Sequence, residues 1–239
     1  MALLALLGMT AFALVSTLVG LRLIVLSRRT GLLPERLIGI SMFLAGGLGS
    51  TLLLIGGFAG DARWLFATAA VLFINLGIAA LGVFTWRVFR PTLMGATLVA
   101  ACVTLLFLSM IVDRFAGHYL GAERSGFSIA TDNGGRLLLY GWTTWESLRQ
   151  YTLARRRVRL GLTEPLVANR FLLWGIATAA VLGIWLHALW QELAESTDQT
   201  QSYLVITVFG GACALALWLA FFPPRAYRAR FPSGSVSAP

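Results

Sequence analysis

The chain has no lysine, and its nineteen basic residues are all arginine. A retinal-type Schiff base and every lysine nucleophile are therefore excluded. Cysteine is scarce: Cys102 and Cys213 each lie inside an apolar run, which excludes a disulfide framework or a cysteine metal site and leaves two small packing residues. Of the two histidines, His118 lies in a polar stretch and His187 near the end of an apolar one; interfacial hydrogen bonding is the plainer reading for both, and no metal is expected. No Ser/His/Asp set or convergent carboxylate pair is visible, and no glycine-rich phosphate loop opens a helix. Neither an enzyme nor a cofactor is expected.

What is present is apolar. Hydrophobic residues make up 58% of the 239 and charged residues 12%, far from the composition of a soluble domain. A membrane helix needs about 20 mostly apolar residues, and the spans expected are 3–26, 37–59, 64–86, 92–112, 136–154, 171–190 and 203–222. The fold class is an all-α, polytopic bundle of seven transmembrane helices in one domain, 1–231, with a compositionally disordered tail, 232–239. The first run lacks a basic leader and is too long for a cleaved signal peptide, so it reads as the first span.

The arginines orient the chain. Arg28, Arg29 and Arg36, then Arg87 and Arg90, then Arg155, Arg156, Arg157, Arg159 and Arg170, then Arg225, Arg228 and Arg230 fall on one face. The other face holds Arg63, Arg114, Arg124 and Arg136 among most of the acids. Basic residues are retained on the cytoplasmic side, so the amino terminus is expected outside and the carboxyl terminus inside, in a bacterial inner (plasma) membrane. Arg155, Arg156, Arg157, Arg159, Arg225 and Arg228 are the expected contacts to anionic lipid of the cytoplasmic leaflet. The positive charge follows topology, so nucleic acid is not an expected partner. Residues 113–135, rich in glycine, read as a long outside loop of the functional kind.

Arg29-Thr30-Gly31-Leu32 followed by Pro34 is matched by Arg159-Leu160-Gly161-Leu162 followed by Pro165. The match is either a three-plus-one-plus-three repeat or two independent solutions to a turn. Gly20-Leu21-Arg22-Leu23 through Pro34-Glu35, the run from Leu160-Gly161-Leu162-Thr163-Glu164-Pro165 to Trp174, and Phe222-Pro223-Pro224-Arg225 resemble an uncharacterised group of seven-helix inner-membrane proteins from GC-rich bacteria. More loosely, the architecture is similar to the seven-helix sensory domains that precede bacterial kinases, although no output domain is expected here.

Glu146 is the leading site candidate, an ionisable group expected near the bilayer midplane and therefore facing the bundle interior. Arg149 lies one turn on, Trp142 and Thr143 share its face, and Asn75 in the third span is its expected interhelical partner. The group is either a polar clamp or a ligand or proton site. Trp142 and Trp145 either floor a pocket beside Glu146 or belong to the core. Trp174 is expected as an interface anchor, and Asp113, His118 and His187 as an outer mouth. The expected function is a receptor-like or sensory bundle for a small ligand, signalling to a membrane or cytoplasmic partner protein. The alternatives are a small-solute transporter using Glu146 and a structural subunit of a membrane complex.

Overall fold

A computed structural model describes residues 2–117, 124–194 and 199–231. The described residues form long helices and no strand. Helix α1 is Ala2–Thr30, and α2, Leu33–Gly56, starts from an extended Leu32 with a proline in its first turn. Helix α3, Arg63–Phe89, follows the short 3-10 turn Gly60–Ala62. Helices α4, Leu93–Phe115, and α5, Gly126–Arg159, each open on a side-chain cap: Thr92 accepts from the Gly95 N–H and Ser125 from the Ser128 N–H. Helices α6, Pro165–Leu193, and α7, Gln199–Phe221, complete the bundle, and α8, Arg225–Arg228, is one turn after Pro223-Pro224.

Two of the turns are alike. Gly31 and Gly161 hold φ of 70° and 71°, the left-handed conformation that costs glycine nothing, and each precedes a helix opened by proline. The helices close into a ring in which each packs on its neighbours in sequence and α7 returns to α1, while α3 also touches α5 across the middle. Arg22 fastens the closure: it donates to the Phe221 carbonyl at 2.8 Å and lies 4.5 Å over the Phe222 ring. Asn169 on α6 donates to the Tyr227 hydroxyl at 2.7 Å and holds α8 against the bundle. The core is built on fully buried Ile78, Leu81, Leu106, Leu139 and Leu217.

The middle of α2, Met42–Gly49, is π-helical. Its glycines and those facing it allow contacts that a Cβ would block: at Gly46 it would meet Ser16 at 2.5 Å, at Gly49 Ile74 at 2.5 Å, and at Gly77 on α3 the Ala45 backbone at 2.6 Å. A wide turn of this kind marks functional sites often enough to be noted.

Among the described residues, six helices are long and apolar enough to cross a membrane: those containing Leu6–Thr30, Leu33–Gly56, Gly60–Phe89, Leu93–Phe115, Pro165–Leu193 and Thr200–Phe221. The chain is accordingly a multi-pass membrane protein. The seventh long helix, α5, is not among the six, although it is the longest at 34 residues, about 51 Å. Its polarity points inward. Asp132, Arg136, Thr143 and Glu146 are buried, whereas Leu138 and Trp145 on the other side are 53% and 68% exposed.

This corrects the expectation of a long loop over 113–135. Asp113 is buried inside α4 and α5 begins at Gly126, ten residues ahead of the expected span. Gly135 is a packing glycine: a Cβ there would meet Leu106 at 3.0 Å and the Cys102 carbonyl at 3.1 Å, so it lets α5 approach α4. The tail, 232–239, lies outside the described residues.

Candidate functional site

The buried polar face of α5 recurs about every turn through Ser128, Asp132, Arg136, Thr143 and Glu146, interrupted by Leu139 and Tyr140. It carries two ion-pair groups. The first joins α4, α5 and α6 at the acidic end of the bundle. Arg124 lies between three carboxylates: Asp113 at 3.0 Å, Asp132 at 3.2 Å and Glu192 at 2.6 Å. Burial alone would lower the Arg124 pKa, but Asp132, Glu192 and Asp113 outweigh it and raise the value, so this guanidinium stays charged at any working pH. Ser128 donates to Asp113 and Asn133 donates to Glu192 at 2.8 Å.

One turn deeper, Arg136 pairs with Asp132 at 2.7 Å, donates to the Asn75 carbonyl oxygen at 3.2 Å and lies 4.0 Å over the Trp185 ring. Asn75 in turn donates to the Leu106 carbonyl at 3.1 Å. Asn75 is twelve residues from one end of α3 and fourteen from the other, so the Arg136 group sits at mid-bundle. The Arg136 and Asp132 side chains keep only 5% and 9% exposure.

The second group contains Glu146, 2% exposed, which accepts from Arg90 at 2.7 Å and from Arg149 at 3.4 Å. Arg90 ends α3, so this group lies at the basic end. Thr143, just above, meets Thr85 of α3 hydroxyl to hydroxyl at 2.8 Å.

Several expected positions change. Glu146 is ten residues, about 15 Å, from Arg136 along the helix axis; it occupies the level of the α3–α4 turn rather than mid-bundle. Asn75 serves Arg136 and not Glu146, while Arg149 is a partner as expected. Arg136, expected at the outer edge of the fifth span, is instead buried at mid-bundle beside Asn75. Trp145 faces outward at 68% exposure and Trp142 packs half-buried against the core, so neither floors a pocket. Trp174, expected as an interface anchor, is 6% exposed between Phe84 and Phe221, ring centroids 6.2 Å from each. Asp113 is buried in the Arg124 network instead of lining an open mouth. His187 stacks on Trp190 at 5.8 Å, with its Nε2 buried and unpartnered among the described residues. His118 lies outside the described residues. Arg155, Arg156, Arg157, Arg159, Arg225 and Arg228 are all exposed at the basic end.

A cavity of about 230 Å³ opens among α1, α2, α3, α5, α6 and α7. Its wall includes Phe12, Met42, Ala45, Gly46, Ile74, Tyr140, Trp174, Thr178, Val181 and Trp185. The π-helical part of α2 supplies one side and α6 the other. The sequence does not announce this site, because Trp174 falls near the end of an apolar run and reads as interfacial, and Trp185 lies in the same run with nothing to single it out. Tyr140, at the break in the polar face of α5, was the available signal.

Fold and site together define a multi-pass membrane bundle with one inward-polar helix against an apolar interior cavity. No family model matches the chain, and no curated protein or solved structure shows significant similarity to it.

Proposed function

We propose that the chain is a receptor-like sensory bundle of seven spans, amino terminus outside and carboxyl terminus inside, in a bacterial inner membrane. A small ligand in the interior cavity is read by α5 and passed to the basic inner segments, where a partner protein and anionic lipid headgroups meet it. The observation that carries the reading is the stacking of Arg136 on Trp185, since Trp185 lines the cavity and Arg136 holds Asp132 and Asn75. Displacing the indole displaces a cation that has no water to fall back on, so cavity occupancy and the position of α5 are energetically linked. The seven-span reading draws on α5 itself, whose inward carboxylates and guanidiniums are the pattern expected of a membrane helix facing a bundle interior.

Nitroxides at Arg87→Cys and Arg157→Cys report the distance between α3 and α5 at the basic end, against two native cysteines that are buried. In nanodiscs Trp185→Ala is expected to redistribute that distance between two populations. One unchanged distribution in both proteins would contradict the reading.

The matched turns at Gly31 and Gly161 favour a second reading, a transporter built on a repeat. Against it, Leu139, fully buried, stands on α5 between the two polar groups. Acid-driven proton uptake by proteoliposomes that disappears in Glu146→Gln would promote the transporter over the receptor.

A further inference from the structure

Only Gly31 and Leu32 separate α1 from α2, so the last turn of one helix stands beside the first turn of the other. Ile24 and Arg28 are one turn apart on α1, and Arg36 and Ile40 one turn apart on α2, so each helix carries an arginine with an isoleucine on the same face, one turn deeper in its span. The two faces meet. These four residues and Ser27 line one cleft of about 380 Å³. It lies at the adjoining ends of two apolar spans, Leu6–Thr30 and Leu33–Gly56, where arginine reaches headgroups and isoleucine reaches acyl chains. We propose that this cleft binds the phosphate of one anionic phospholipid between Arg28 and Arg36, with the start of an acyl chain along Ile24 and Ile40. The site deepens the contact with anionic lipid proposed for the basic end and rests on that reading.

Several arginines are engaged elsewhere: Arg90 and Arg149 with Glu146, Arg124 and Arg136 with the acidic group, and Arg22 with the Phe221 carbonyl. Arg28 and Arg36 differ. Neither makes an ion pair among the described residues, and no carboxylate lines the cleft. Glu35, next to Arg36 in the chain, accepts from the Thr30 hydroxyl at 2.5 Å, and Ser27 is satisfied by donating to the Ile24 carbonyl at 2.8 Å. Two cations on one cleft repel, and an anion between them turns that repulsion into attraction. The guanidinium fork matches phosphate oxygens in pairs. A soluble anion would leave the isoleucines unused, and a zwitterionic headgroup would bring a third cation to the two arginines. An anionic phospholipid, which the cytoplasmic leaflet supplies, uses both levels of the cleft.

The test is native mass spectrometry of the full chain released from detergent micelles and titrated with phosphatidylglycerol or phosphatidylcholine of identical chains. Wild type is expected to bind its first phosphatidylglycerol about tenfold more tightly than phosphatidylcholine, the worth of one charge-assisted hydrogen bond. Arg28→Gln combined with Arg36→Gln should bring that ratio to about one. Arg170→Gln combined with Arg230→Gln removes the same charge from exposed positions at the same end and should leave it unchanged. A helical circular-dichroism spectrum and a cooperative melt certify each variant. Excess glycerol phosphate or inorganic phosphate should not displace the bound lipid; displacement would make this a soluble-anion site and overturn the lipid assignment. The proposal is also overturned if the Arg28/Arg36 variant keeps the preference, or if both double variants lower it alike, an outcome that removes the site and leaves the general contact with anionic lipid standing. No preference in wild type would remove both.

Discussion

Asp132 with Arg136 and Glu146 with Arg90 and Arg149 are the same chemistry on the same face of α5, but water reaches them differently. The Arg136 side chain is 5% exposed, whereas Arg90 and Arg149 are 47% and 44% exposed. A dry ion pair is costly to break because the surviving charge has nowhere to go, while a pair whose cations already touch water can relax outward. The deeper group therefore fixes where α5 stands, and the group at the basic end only steadies it. That separation suits a helix held at one level and free to respond at the other.

The sharpest way to break the comparison is Arg136→Leu, which strands Asp132 and unbinds Asn75. A loss of about 3–5 kcal/mol is expected in reversible unfolding in micelles, toward the lower value because Arg124 still reaches Asp132. Glu146→Gln keeps an acceptor for Arg90 and removes the charge; about 1–2 kcal/mol should be lost. Arg149→Gln, at 3.4 Å and nearly half in water, should cost under about 1 kcal/mol. Trp145→Leu, outward-facing, should change stability by no more than about 0.5 kcal/mol. If Glu146→Gln cost more than Arg136→Leu, the assignment of the two levels would be reversed.

Hydropathy made α1, α2, α3, α4 and α7 legible to within four residues, and α6 to within six, because a helix facing lipid on one side and apolar neighbours on the other is apolar all round. The start of α5 was hidden for the opposite reason. Asp132, Asn133 and Arg136 lower its hydropathy, and Gly134-Gly135 looks like a turn, although Gly135 serves a close helix contact. The polar recurrence through Ser128, Asp132 and Arg136 was present in the sequence and carried the missing turn signal. Glu146 could be seen as buried and as a partner of Arg149. Its pairing with Arg90, and that of Asn75 with Arg136, depend on how far α5 slides relative to α3, which no local pattern records. The cavity was likewise illegible: it forms where the π-helical turn of α2 meets Trp174 and Trp185 of α6, and unwinding of that kind is decided by packing rather than by propensity.

Everything proposed for α5 depends on its crossing the bilayer despite its charge. Single cysteines at Ser125 and Thr163, in a chain whose Cys102 and Cys213 are replaced by serine or alanine, flank the helix on its two sides. In intact spheroplasts an impermeant maleimide should label Ser125→Cys and leave Thr163→Cys unlabelled until the membrane is opened. Labelling of both positions from outside, or of neither, would contradict a spanning α5 with this orientation.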